Sequence, residues 1–180
     1  ILHERQMLGL ELLRECDLII EAIAERMDWK QDLYRKIAPF VADHAVLASN
    51  TSGLGINKLA DVLPEQLRHR FCGVHFFNPV PMMKLVEVIR GLASEDDAVA
   101  GVRALAERMG KTVVEAADYP GFVVNRLLCP MINEAVFTLQ DGVASAVEID
   151  EGMKLGCNHP IGPLALADLI GLDVVLAIME

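Results

Sequence analysis

Apolar and polar positions divide the chain into two parts with different periods. Up to Asp118, short runs of branched apolar residues alternate with amphipathic stretches, the pattern of buried strands taking turns with helices. Asp17-Leu18-Ile19-Ile20-Glu21-Ala22 predicts a buried parallel strand. Residues 27–41 predict a helix with Met27, Leu33, Ile37, Phe40 and Val41 near one face, and with Lys30, Asp32, Arg35 and Lys36 mainly elsewhere. Ala45 to Ser49 predicts a second strand, ending at Asn50-Thr51-Ser52-Gly53, and a short helix from Ile56 to Leu63 precedes Pro64. Phe71 to Phe77 predicts a strand broken by Asn78-Pro79, and Lys84 to Ile89 a further one. Asp96 to Met109 predicts a helix with Gly110 at its C′ position, followed by a short strand from Thr112 to Glu115.

Beyond Tyr119-Pro120-Gly121 the strand signals stop. Phe122 to Leu139 forms a long apolar helical pattern, Gly142 breaks it, a shorter helix covers Val147 to Leu155, and helix resumes beyond Pro163. An α/β fold is expected: a doubly wound sheet over residues 1–117, then an all-helical, partly present domain over residues 118–180.

Composition narrows the function classes. With 180 residues, 53% hydrophobic and 23% charged, the chain can bury a sizeable core and has neither a disordered nor a fibrous profile. A net charge of −10 argues against a nucleic-acid partner, since phosphate neutralisation needs clustered Lys and Arg. Charges interrupt every apolar stretch before membrane-spanning length and no signal peptide is evident, so no membrane partner and a cytoplasmic location are expected. Cys16, Cys72, Cys129 and Cys157 show no CxxC spacing and read as buried thiols rather than as a metal site or a catalytic nucleophile. The chain opens on Ile1 and stops at Glu180 inside an apolar, helix-like run, which suggests a truncated sequence.

Two residues carry candidate chemistry. His75, among the apolar residues of Gly73-Val74-His75-Phe76-Phe77, reads first as a satisfied structural histidine. Its place at a strand end, where open α/β sheets gather their active sites, also suits an acid/base. Glu87, between Val86 and Val88 and twelve residues beyond His75, either faces solvent or meets the imidazole and holds its tautomer.

The blocks Ser49-Asn50-Thr51-Ser52, Gly73-Val74-His75-Phe76-Phe77-Asn78-Pro79-Val80-Pro81, Lys84-Leu85-Val86-Glu87-Val88-Ile89 and Pro120-Gly121-Phe122-Val123-Val124-Asn125-Arg126 follow one another in a family order. With Met131-Ile132-Asn133-Glu134-Ala135 and His159-Pro160-Ile161-Gly162-Pro163, the chain resembles the 3-hydroxyacyl-CoA dehydrogenase family over its whole length, and within it the bacterial 3-hydroxybutyryl-CoA dehydrogenases. The resemblance implies reversible, NAD-dependent oxidation of L-3-hydroxyacyl-CoA to 3-oxoacyl-CoA, in fatty-acid oxidation or butanoate metabolism. It implies that His75 exchanges the proton of the 3-hydroxyl, that Glu87 supports the ring, and that Ser52 and Asn125 hydrogen-bond the substrate oxygen. Glu25 and Lys30 match positions near the nicotinamide-side ribose and phosphates, and Ser52 and Asn78 match positions near the nicotinamide. By their own pattern Ser52 is a turn residue, Asn125 a helix-start residue, and Glu25 with Lys30 a solvated face. The resemblance further implies a homodimer for the full-length parent.

The family's G-x-G-x-x-G fingerprint, which brings backbone N–H groups to the cofactor pyrophosphate, has no match in the chain. The expected sheet is therefore an incomplete Rossmann-like one, and the segment alone is expected to be inactive. Two other readings stand beside the enzyme: a non-catalytic structural or acyl-CoA-binding homologue, and the dehydrogenase segment of a multifunctional β-oxidation enzyme. Trp29 reads as a packing residue, His159 as structural, and His44 and His69 as exposed. Met82, Met83, Met131 and Met153 read as core filling, with an acyl-pocket lining as the alternative.

Overall fold

A computed structural model describes residues 9–179. Its sheet holds β1 (Leu18–Glu21), β2 (Val46–Ser49), β3 (Phe71–Phe76), β4 (Leu85–Arg90) and β5 (Thr112–Ala117), side by side in chain order. β1 with β2, β2 with β3, and β4 with β5 run parallel, whereas β3 and β4 are antiparallel. The eight residues between β3 and β4 are too few for a parallel crossover, which needs about a dozen or more. Hydrophobic period alone carries no strand direction, so this reversal was not part of the expected sheet.

Between the strands lie α1 (Met27–Ile37), α2 (Ile56–Ala60), α3 (Glu65–Arg68) and α4 (Asp96–Arg108). Successive strand residues face opposite sides. Leu47, Phe71 and Ile89 join Tyr34, Ile37, Ile56, Leu59 and Leu67 in one core. Val46, Ala48, Cys72, Val74, Val86 and Val88 meet Ala98, Val99, Val102 and Ala106 of α4 in the other. Helices cover both faces, so the sheet is doubly wound as expected.

Gly73 lies where α2 presses on β3. A Cβ there would come within 2.8 Å of Ile56 Cδ1 and 2.9 Å of Ile89 Cβ. Gly73→Ala is expected to lower stability by roughly 1–3 kcal/mol through overpacking, measured by denaturant unfolding of the protein expressed from its complete reading frame.

Several local expectations need correction. The helix from Met27 ends at Ile37, and Ala38–Phe40 continues as a 3-10 turn because Pro39 cannot donate into the α-helical ladder. Its buried stripe is Lys30, Tyr34 and Ile37, rotated from the predicted apolar face. Trp29 is not a packing residue: it is 51% exposed, with the Arg26 guanidinium 4.9 Å above its ring. Met82 and Met83 are exposed, as is Cys157, while Cys16 is half-buried. The single turn α3 went unanticipated.

The chain separates into two compact units between Phe122 and Val123. The second contains α5 (Val124–Gln140), α6 (Ala146–Gly156), α7 (Pro163–Ile170) and α8 (Leu172–Met179), around Ile132, Ala167 and Val175. Phe122 does not start α5: its φ of 50° is left-handed. Ser145 and Glu148 form a capping box on α6, and the Asp150 carboxylate accepts the Leu164 and Ala165 N–H groups at 2.8 and 3.0 Å, closing the start of α7. Gly162 is required beside that cap, because a Cβ there would collide with Asp150. Met131 and Met153 line a cavity of about 460 Å³ with Ala135, Ile149 and Pro163. Among the described residues no helix is long and apolar enough to cross a membrane.

Candidate active site

His75 and Glu87 stand opposite each other in the register of the antiparallel pair β3 and β4. The valines flanking Glu87 face α4, so the acid points to the other face, which is also covered. A strand acid alternating with valines reaches solvent only when one face of the sheet is bare, and here neither is. Glu87 is 0% and His75 5% exposed, and Nδ1 of His75 lies 2.8 Å from Oε2 of Glu87. A carboxylate only accepts, so Nδ1 is the donor of this bond and Nε2 is turned away from Glu87. The rings of Phe77 and Phe122 lie 4.5 and 5.7 Å from the imidazole, giving it apolar walls.

The loop after β2 lies beside the end of β3. Asn50 Oδ1 accepts the Phe76 N–H at 3.0 Å, joining the loop to the residue after His75. Glu25 Oε1 closes the turn that carries Ser52: it accepts the Thr51 hydroxyl and the N–H groups of Ser52 and Gly53, the last two at 2.8 and 3.2 Å. Thr51 Oγ1 also accepts the Leu54 N–H at 2.9 Å. Farther along, the Asp118 carboxylate accepts the Ile56 and Asn57 N–H groups, each at 2.8 Å.

Behind this turn lies a buried ionic network. Glu21 ends β1 in register with Ser49. Its Oε1 accepts Lys30 Nζ at 2.6 Å and the Ile23 N–H at 2.7 Å, and its Oε2 accepts the hydroxyls of Tyr34 and Ser49 at 2.7 and 2.8 Å. Lys30 is 0% exposed, and its ammonium also meets the Ile23 carbonyl at 3.3 Å and Glu25 Oε2 at 3.5 Å. The solvated face expected of Glu25 and Lys30 holds only for Glu25, whose side chain is 42% exposed. Burial by itself raises the Glu21 carboxyl, but the bonds from Lys30, Tyr34, Ser49 and the Ile23 N–H together outweigh it and hold the group below its ordinary value.

That depression predicts an acid limb of stability. A carboxyl held lower in the folded than in the unfolded protein contributes stability that is complete above the unfolded value and lost as pH falls through the folded one. The unfolding midpoint is therefore expected to fall on acidification below about pH 4, the ordinary carboxylate range. Glu21→Gln should be less stable at neutral pH and show a shallower acid slope. Parallel slopes in calorimetry would count against the network as their source.

The structure thus brings His75 to Glu87, and Glu25 and Lys30 to the Ser52 turn. Asn78 follows β3 and is exposed, while Asn125 lies in the first turn of α5 in the second unit, 9% exposed. Glu21, Tyr34, Ser49, Asn50, Thr51 and Asp118 support the site without having been assigned a role from sequence. Two local signals pointed to the network: an acid closing a branched apolar strand, and Lys30, Tyr34 and Ile37 at helical spacing. Burial pushes the Cys72 thiol up to about 12, which suits core packing rather than nucleophilic work. Among the described residues no group of three or more His, Cys, Asp or Glu is placed to hold a metal ion.

Residues 6–119 match the family model for the 3-hydroxyacyl-CoA dehydrogenase NAD binding domain, and residues 121–180 match that for the 3-hydroxyacyl-CoA dehydrogenase C-terminal domain. Over 171 residues the chain is 55% identical to a protein named "Probable 3-hydroxybutyryl-CoA dehydrogenase" from Bacillus subtilis (strain 168), across 95% of this chain and 59% of that relative. Over 178 residues it is 51% identical to a 3-hydroxybutyryl-CoA dehydrogenase of Clostridioides difficile, across 99% of this chain and 63% of the relative. The crystal structure of (S)-3-hydroxybutyryl-CoA dehydrogenase from Ralstonia eutropha superposes with a TM-score of 0.90 at 54% identity, across 95% of this chain and 60% of that one. The chain spans about 60% of the length of these relatives.

Proposed function

The chain belongs to the 3-hydroxyacyl-CoA dehydrogenase family, and from that premise we propose that the protein performs reversible, NAD-dependent oxidation of an L-3-hydroxyacyl-CoA to the 3-oxoacyl-CoA. One observation carries the reading: the buried His75 and Glu87 pair, 2.8 Å apart at the end of β3. Nε2 of His75 takes the proton of the 3-hydroxyl, and Glu87 stabilises the imidazolium through Nδ1. In reduction the same nitrogen returns the proton. The Ser52 hydroxyl orients the substrate oxygen and supports its charge as the carbonyl forms. Bound NAD supplies the acceptor for the hydride leaving C3.

The residues at the ends of β1 and β2 fit such a cofactor. Glu25 uses Oε1 on the turn and keeps a part-exposed carboxylate beside Ser52. Glu25, Ser52 and Asn78 are the side chains that would hold the nicotinamide end. Lys30, with its ammonium buried, acts through Glu25. By the same premise, residues 1–117 serve the cofactor and residues 118–180 serve substrate binding and homodimer formation, with the protein in the cytoplasm.

The relatives' names make 3-hydroxybutyryl-CoA the first substrate to try, and the proposed reaction suits fatty-acid oxidation or butanoate metabolism. With the protein expressed from its complete reading frame, this substrate and NAD are expected to yield NADH, followed by its absorbance. Tight acyl-CoA binding without NADH formation would support the non-catalytic homologue instead.

A further inference from the structure

Lys30 is a buried cation shared unequally by two carboxylates. Its Nζ lies 2.6 Å from Glu21 Oε1 and 3.5 Å from Glu25 Oε2. Three further donors, from Ile23, Tyr34 and Ser49, complete the set around Glu21, which is 4% exposed and cannot follow the ammonium if it moves. Glu25 is more open and is held on its other oxygen by Thr51, Ser52 and Gly53. The end of β1 and the turn after β2 are thereby joined by one chain of charges running from Glu21 through Lys30 and Glu25 to Ser52.

We propose that Glu21 is a positioning residue of this site: by holding Lys30 back from a full ion pair with Glu25, it leaves the Glu25 carboxylate to fix the turn that carries Ser52. Removing the Glu21 charge leaves the buried ammonium with one carboxylate in reach. A buried cation does not tolerate an absent partner, so Lys30 closes on Glu25. Glu25 then leaves the Ser52 and Gly53 N–H groups, and the Ser52 hydroxyl loses its fixed direction. The link to catalysis rests on the dehydrogenase reading above, whereas the link to turn geometry does not.

The test uses Glu21→Gln, Lys30→Met and their combination in the protein expressed from its complete reading frame. Glu21→Gln is expected to lower kcat at saturating NAD and 3-hydroxybutyryl-CoA by about ten- to a hundredfold, the effect of a small misplacement in an oriented site. Amide exchange in a peptide covering Ser52 to Leu54 should accelerate, while peptides from α4 stay at the wild-type rate. In the double variant no ammonium competes for Glu25, so turn protection and part of kcat are expected to return relative to Glu21→Gln alone. A lower melting temperature with unchanged kcat and unchanged exchange at the turn would show that Glu21 only supports the fold and would overturn the proposal. So would a double variant no better protected than the single one. If the wild-type protein transfers no hydride, the dehydrogenase reading fails, and turn exchange alone then upholds or overturns the positioning role.

Discussion

Replacing His75 by glutamine is expected to lower kcat by about 10²- to 10⁴-fold, the range over which a positioned acid/base contributes. Glutamine fills a similar volume, and its amide N–H can still donate to Glu87, so the unfolding midpoint should move little. It has no titratable nitrogen to take the 3-hydroxyl proton. Because the lost interaction forms as the proton moves, the fall should appear in kcat with KM nearly unchanged. NADH formation by the variant, expressed from its complete reading frame and compared with wild type, checks this. Wild-type turnover would remove the acid/base role assigned to His75.

Glu87→Gln is expected to cost at least as much, on the order of 10³- to 10⁴-fold in kcat, as in other sites where the carboxylate behind a catalytic histidine becomes an amide. Glu87 is fully buried and 2.8 Å from Nδ1. A carboxylate there can only accept, which keeps a proton on Nδ1. An amide can present its NH₂ to Nδ1 instead, moving the proton to Nε2 and turning the base into a donor facing the substrate. Nitrogen chemical shifts of the His75 ring should report that tautomer change. An unchanged tautomer together with unchanged kcat would leave Glu87 as packing alone.

Much of the first unit was legible because its strands are branched apolar runs between strong breakers: the five strands lie within one residue of their predicted spans except at the end of β5, which runs on to Ala117. The pairing of His75 with Glu87 was legible only as a possibility of spacing. It depends on the antiparallel turn between β3 and β4, and a second covered face turned an acid that alternates with valines from a solvent residue into a buried one. Lys30 misled for the reverse reason. Helical periodicity counts a lysine as polar and places it outward, yet Glu21, nine residues earlier, draws its ammonium inside. Asp118 gave no local signal at all, since its partners at Ile56 and Asn57 are 62 and 61 residues away.

The sequence by itself determined where strands and helices alternate, where the strand pattern ends, and which side chains could move a proton. The order of its motifs also determined the family. Tertiary structure alone decided that β4 reverses against β3, that His75 and Glu87 meet with both sheet faces closed, and that Glu21, Lys30 and Glu25 form one network beside Ser52. The reason is physical. Periodicity reports how one element divides apolar from polar surface, whereas the burial of a charge depends on whether other elements bring enough donors and acceptors to replace water. Those partners are fixed by strand direction and register, which local patterns do not carry.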